Sequence, residues 1–266
     1  MNSAFVCTFG PLTFLCVVLA SAVPYSTNAA PFDEATERYR LFMIADLDRA
    51  LDGVRALRDR VKANDIPRAK QAWIDARIGW ERSEVFTSGF IPELDDAIDS
   101  WPDAATGFHG LEVKLFGANS GDFGDETDML ILHLTDADER VRSMQLTPQG
   151  LLNGVTRLAY EIGDSKVDGG ESRLSGTSLD DMRNNADGIE LAYRTLFASP
   201  LEASDPKLAE QVRSDIDQLK ALLKVQNLRG IDPYKLQKAS EALVVALQAA
   251  GPKLGLETPS LEGTAK

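Results

Sequence analysis

Apolar residues return every three or four positions along most of the chain beyond residue 31, and this period restricts the possible folds more than any other feature. Leu41, Ile44, Leu47, Leu51, Val54, Leu57 and Val61 trace one face of a long amphipathic helix within 32–61. A second helix runs from about Pro67 through Ala72, Trp73, Ala76, Trp80 and Val85, and is closed by Gly89 and Pro92. A third begins near Thr106 and carries Phe108, Leu111 and Leu115. Helical spacing is also read over 129–144, 147–162, 179–197, 206–228 and 233–250, the last two being antiparallel neighbours across a short loop. No segment alternates as a half-buried strand does, so the expected fold class is all-α. The stretch 93–103 reads as irregular and acidic, 117–124 and 163–178 as Gly-bearing loops, and 252–266 as a loosely ordered tail.

The first thirty residues contain no Asp, Glu, Lys or Arg and hold one apolar core, Leu12 to Ala20. That core is short for a membrane span, and small polar residues follow Pro24, so residues 1–30 are read as a secretory signal. The alternative is a buried N-terminal helix, since the usual positive residues are missing and the first basic residue is Arg38. Both cysteines, Cys7 and Cys16, fall inside this segment, so the remaining chain has no thiol for a disulfide, a nucleophile or a thiolate metal site. Cys16 as a lipid attachment point is disfavoured by the bulky Phe14 and Leu15 before it. Soluble export to the periplasm is the expectation.

The exported part, 31–251 plus the tail, carries 28 basic and 41 acidic residues, a net charge of -13. Such a surface argues against nucleic acid and anionic membrane as partners and suits cations, although charge of this size also serves solubility alone.

Few residues can carry chemistry. His109 and Glu112 in Gly107-Phe108-His109-Gly110-Leu111-Glu112 lie three apart on one helical face, where imidazole and carboxylate can hold one metal ion together or form a plain polar pair. Arg77, Glu81 and Glu84 share another face at steps of four and three. The two glutamates repel unless a cation or Arg77 lies between them; an exposed, arginine-paired acidic face is the plainer reading. The segment Glu93-Leu94-Asp95-Asp96-Ala97-Ile98-Asp99 adds carboxylates that could equally serve as helix caps. Hard oxygens with one imidazole suit iron, manganese or zinc better than copper(I).

Trp80-Glu81-Arg82-Ser83-Glu84, then 93–99, then Gly107 to Glu112 with Leu115-Phe116-Gly117, together resemble the imelysin-like family in its EfeO/EfeM branch. Gly170-Glu171-Ser172-Arg173-Leu174-Ser175 and Asn185-Ala186-Asp187-Gly188 resemble that branch's second characteristic region. The resemblance covers most of the chain after residue 30 and fits the single-domain EfeM form. It implies two packed helical bundles with a cleft between them, and periplasmic metal binding within an iron-uptake system. The implied metal ligands are Glu81, Glu84, Asp99 and Glu171, with the HxxE pair His109 and Glu112 close by. The cargo would be a divalent or trivalent cation, iron first, with zinc or copper admitted, passed to a membrane permease or periplasmic partner.

Two other classes compete. A metallopeptidase using HxxE would need a third protein ligand and an open position on zinc. Neither HExxH nor HxxEH occurs, and His133, the other histidine, reads as a structural helix residue. Recognition of an acidic polysaccharide would require bridging metal ions or a cleft lined by Arg and Lys.

Overall fold

Four helices start on the same local device, an oxygen-bearing side chain placed one or two residues before a proline. The side chains of Asp65, Thr147, Asp205 and Asp232 accept hydrogen bonds from the backbone amides of Arg68, Gly150, Leu208 and Lys235, and a proline occupies the first turn of each helix. The computed structural model describes residues 30–99, 106–118, 123–167 and 171–261. The expected leader, with Cys7 and Cys16, lies outside the described residues except at its end.

The elements are α1 (Ala30–Lys62), α2 (Ile66–Phe90), α3 (Pro92–Asp99), α4 (Gly107–Glu112), a π-helical segment (Val113–Ala118), α5 (Gly124–Ser143), α6 (Pro148–Asp164) and α7 (Ser178–Ala192). A second π-helical segment (Tyr193–Phe197) continues α7 into α8 (Ala198–Ser204), followed by α9 (Pro206–Leu222), a 3-10 turn (Leu228–Gly230) and α10 (Pro233–Lys253). No strand occurs among the described residues, in agreement with the all-α expectation.

Helix α2 organises the packing. One side lies along α1, which in turn holds α5; the other sides meet α6 and α7, which are backed by α10 and α9. Because neighbours cover it on several sides, α2 buries Trp73, Arg77, Trp80, Glu81, Ser83 and Phe86 almost completely. The approach of α6 is close enough that a Cβ on Gly154 would lie 2.0 Å from the Val85 carbonyl oxygen. Truncating either Trp73 or Trp80 to alanine would cost roughly 3–5 kcal/mol.

Three sequence expectations change. The irregular stretch after Pro92 is helical through Asp99, because Leu94 and Ile98, four residues apart, both bury, and Glu93 and Asp95 suit the positive end of the helix. In α1 the inward stripe runs through Tyr39, Met43, Leu47, Ala50, Leu51, Val54 and Leu57, which leaves Leu41 67% exposed. The tail is docked as far as it is described: Leu254 and Pro259 are buried, and the Glu257 amide donates to Gln149 Oε1 at 2.7 Å.

Candidate metal centre

The buried stripe of α2 presents Arg77, Glu81 and Glu84 toward α3, α4 and α7. Asp99, at the end of α3, accepts from Trp80 Nε1 at 2.7 Å through Oδ2 and from Arg77 through Oδ1. Gly107, with φ of +69°, lets the chain turn within 2.3 Å, measured from a virtual Cβ, of the Ile98 carbonyl oxygen, a conformation costly for other residues. That turn brings His109 beside Asp99, with Nε2 3.3 Å from Oδ1.

Glu112 does different work. Its Oε2 faces His109 Nδ1 at 3.4 Å, while Oε1 accepts from the amides of Leu174 and Ser175 at 3.0 and 2.8 Å and from Ser175 Oγ at 2.7 Å. The second half of the HxxE motif thus pins the 172–175 loop and orients the imidazole. The preceding residue of that loop, Glu171, sits with Oε2 3.1 Å from Lys166 Nζ.

Of the sequence-derived residues, Glu81, Glu84 and Asp99 each offer an oxygen within 4.8 Å of the others. His109 joins the group through Asp99, Glu171 through Lys166, and Glu112 through His109.

Two residues not picked from the sequence, Asp181 and Lys166, and Asn185, named there only within a family-like segment, complete the cluster. Asp181 on α7 lies 3.2 Å from Arg77 Nη2. Asn185, one turn later, donates from Nδ2 to Glu81 Oε2 at 2.8 Å and to Glu84 Oε2 at 2.6 Å. Lys166, in the turn after α6, reaches Glu81 Oε2 at 3.1 Å and Glu84 Oε2 at 3.2 Å. The spacing of Asp181 and Asn185 on one helical face was the available signal. Lys166, a lone lysine in a polar loop, carried none.

Six carboxyl groups, Glu81, Glu84, Asp99, Glu112, Glu171 and Asp181, therefore surround two permanent cations, Arg77 and Lys166, and one imidazole. The Arg77 guanidinium also lies 5.5 Å from the Trp73 ring and 5.4 Å from that of Phe108, which fixes its plane. The charge imbalance appears in the acidities. Burial works to raise Glu81, but Arg77 and Lys166 outweigh it and hold the carboxyl down at about 2. Burial and the neighbouring Glu81 charge push Glu84 well above the ordinary range. Asp99 is raised by burial against the pull of Arg77 and His109, and Asp181 is raised by burial to about 7 despite Arg77. Burial opposes the charged imidazole of His109, but Asp99 and Glu112 prevail and raise it. A site that forces protons onto its carboxyls can exchange them for a cation, and its donor set of hard oxygens with one imidazole fits iron, manganese or zinc.

A cavity of about 310 Å³ between α2 and α7, lined by Ile74, Ile78, Asp180 and Asp187 among others, reaches Asp181. A larger one of about 600 Å³ carries Arg38, Arg82 and Arg194 and none of the cluster's carboxylates.

Fold and site together define an all-helical protein with an acidic polar cluster buried along its central helix. The chain belongs to the imelysin family, also designated peptidase M75, which it matches over residues 35–105 and 103–253. It is 29% identical over 241 residues to an Efem/EfeO family lipoprotein of Staphylococcus haemolyticus, covering 85% of this chain and 83% of that protein. It is also 29% identical over 211 residues to the iron uptake system component EfeO of Escherichia coli O157:H7, covering 75% of this chain. The match spans 56% of that relative's length. A crystal structure described as that of a putative iron-regulated protein A precursor from Parabacteroides distasonis shares the fold, with a TM-score of 0.67 at 17% identity over 84% of this chain and 95% of that one.

Proposed function

We propose that the protein captures a metal cation, iron first among the candidates, at Glu81, Glu84 and Asp99, with His109 and Glu171 completing the coordination as it closes. Glu112 acts as the support that aims His109. In this reading the protein is exported, works in the periplasm as a component of an iron-uptake system, and hands its cargo to a membrane permease or a periplasmic partner. The two sets of helices that share α2 serve as the two bundles, and the cavity between α2 and α7 is the cleft by which the ion enters.

The observation that carries the proposal is the excess of buried carboxylates over fixed cations around α2. Buried carboxylates without counter-charge are costly, and a multivalent ion is the most economical way to satisfy several at once. The names of the EfeO and Efem/EfeO relatives support iron as the cargo. No helix among the described residues is long and apolar enough to cross a membrane.

The test is calorimetric titration with Fe2+ under anaerobic conditions, and with Mn2+ and Zn2+, of the parent protein and a Glu81→Ala, Glu84→Ala variant. Near-stoichiometric binding in the parent and its loss in the variant are expected. A variant that takes up the ion as tightly as the parent would refute the assignment.

A further inference from the structure

Lys166 is the least expected member of the cluster. It is 3% exposed, and its Nζ stands 3.1 Å from Glu81 Oε2, 3.2 Å from Glu84 Oε2 and 3.1 Å from Glu171 Oε2. Three carboxylates from α2 and the 171–175 loop thus converge on one nitrogen. A metal ion binds such oxygens at about 2.0–2.2 Å, so the same three would have to close by roughly 1 Å into the space the ammonium fills. The ammonium and the ion cannot share that point.

The two buried cations differ in how they are held. Arg77 is gripped by Glu81, Asp99 and Asp181 and flanked by the rings of Trp73 and Phe108. Lys166 sits on a flexible four-carbon stem two residues beyond the end of α6, in a turn whose amides at Ser165 and Lys166 both return to the Glu161 carbonyl. An ammonium is strongly hydrated and gains water when it leaves, whereas a guanidinium fixed in a planar fork does not let go as readily.

We infer that Lys166 is the resident counter-ion of the unloaded site and leaves it when the cargo enters, so that only an ion of higher charge than its own displaces it. The inference rests on the capture reading above and adds its selectivity. A monovalent ion would replace one positive charge by another and gain nothing over a tethered group. A divalent or trivalent ion gains the additional charge against the same carboxylates. Lys166 thereby supplies part of the counter-charge of the unloaded site and keeps it closed to sodium and potassium.

The experiment compares the parent chain with Lys166→Met, using Zn2+ as a redox-inert probe, and follows Lys166 in the parent by acylation with an amine-reactive ester and mass spectrometry. Lys166→Met is expected to bind Zn2+ roughly tenfold tighter or more, since the competing buried charge is gone, and to become sensitive to added K+ where the parent is not. In the parent, Lys166 is expected to acylate slowly without Zn2+ and faster at saturating Zn2+. Equal or weaker binding by the variant, or labelling that stays slow on loading while the parent binds Zn2+, overturns the role of Lys166 and leaves the capture reading intact. If the parent binds none of Zn2+, Mn2+ or Fe2+, the capture reading fails and takes this inference with it. Should Lys166→Met not fold, the labelling of the parent decides.

Discussion

Held free of metal by a chelator, the protein should become less stable as pH rises from 5 to 7.5. Asp181, 2% exposed, is raised by burial from 3.8 to about 7 in the folded state, against the pull of Arg77. Asp95 is raised to about 7, first by burial and then by Glu161 and Asp99, with the Thr87 hydroxyl and Arg157 opposing. In each case the folded chain binds a proton more tightly than the unfolded chain, so between about pH 4 and pH 7 the folded state carries more protons and its stability falls with rising pH. Two pH units across that window are worth about 2–3 kcal/mol for Asp181 and, with its partial exposure, about 1–2 kcal/mol for Asp95. His109 acts in the same sense: its raised folded value contributes stability that is present below about 6.5 and is lost as pH climbs through that folded value. Glu81 acts the other way, but its contribution is present above its ordinary value of 4.5 and is lost only as pH falls toward about 2, outside the window. At about 2–4 °C per kcal/mol for a chain of this size, the thermal midpoint should drop by roughly 10 °C from pH 5 to pH 7.5. Scanning calorimetry in chelator measures this directly, and saturating Zn2+ should flatten the slope, because an ion held by Glu81, Glu84 and Asp99 offsets the charges that help to raise Asp181 and Asp95. A midpoint that is level or rises over this range in chelator would refute the charge imbalance assigned to the cluster.

Four further outcomes follow from particular contacts. Gly154→Ala, whose methyl would meet the Val85 carbonyl oxygen at 2.0 Å, should lower stability by about 1–3 kcal/mol as a shift of the urea midpoint. Ending the chain after Lys253 removes buried Leu254 and the Glu257–Gln149 hydrogen bond, and should cost about 2 kcal/mol or more by the same measure. Trp80→Phe deletes the 2.7 Å donor to Asp99 Oδ2; it should cost about 1.5–3 kcal/mol and weaken Zn2+ binding by calorimetry, because the carboxylate loses its aim. Peptide cleavage by the zinc-loaded protein should stay at background in both the parent and His109→Ala; turnover that disappears in the variant would favour the peptidase alternative.

The helices were legible because helix formation is local. Periodicity, a proline in the first turn and an oxygen side chain before it are all written within a few residues, and α2, α6, α9 and α10 begin where those signals fall. The acidic residues of the cluster other than Asp181 were legible too, since Glu81 and Glu84 share a face and the motif order resembled a family to which the chain belongs. Short elements were harder. The helix after Pro92 hides among four acidic residues, and only the pocket that receives Leu94 and Ile98 makes it worth forming.

What the linear sequence settled by itself is the fold class, and it named acidic side chains that the fold gathers around α2. Tertiary packing alone decided that Lys166 and Asp181 enter the cluster, that Glu112 clamps a loop about sixty residues away, and that the segment after α10 docks beside α6 through Glu257. The reason is physical: backbone hydrogen bonds and helical spacing depend on near neighbours, whereas the partner of a buried charge depends on which distant segment the closed core brings within a few ångströms.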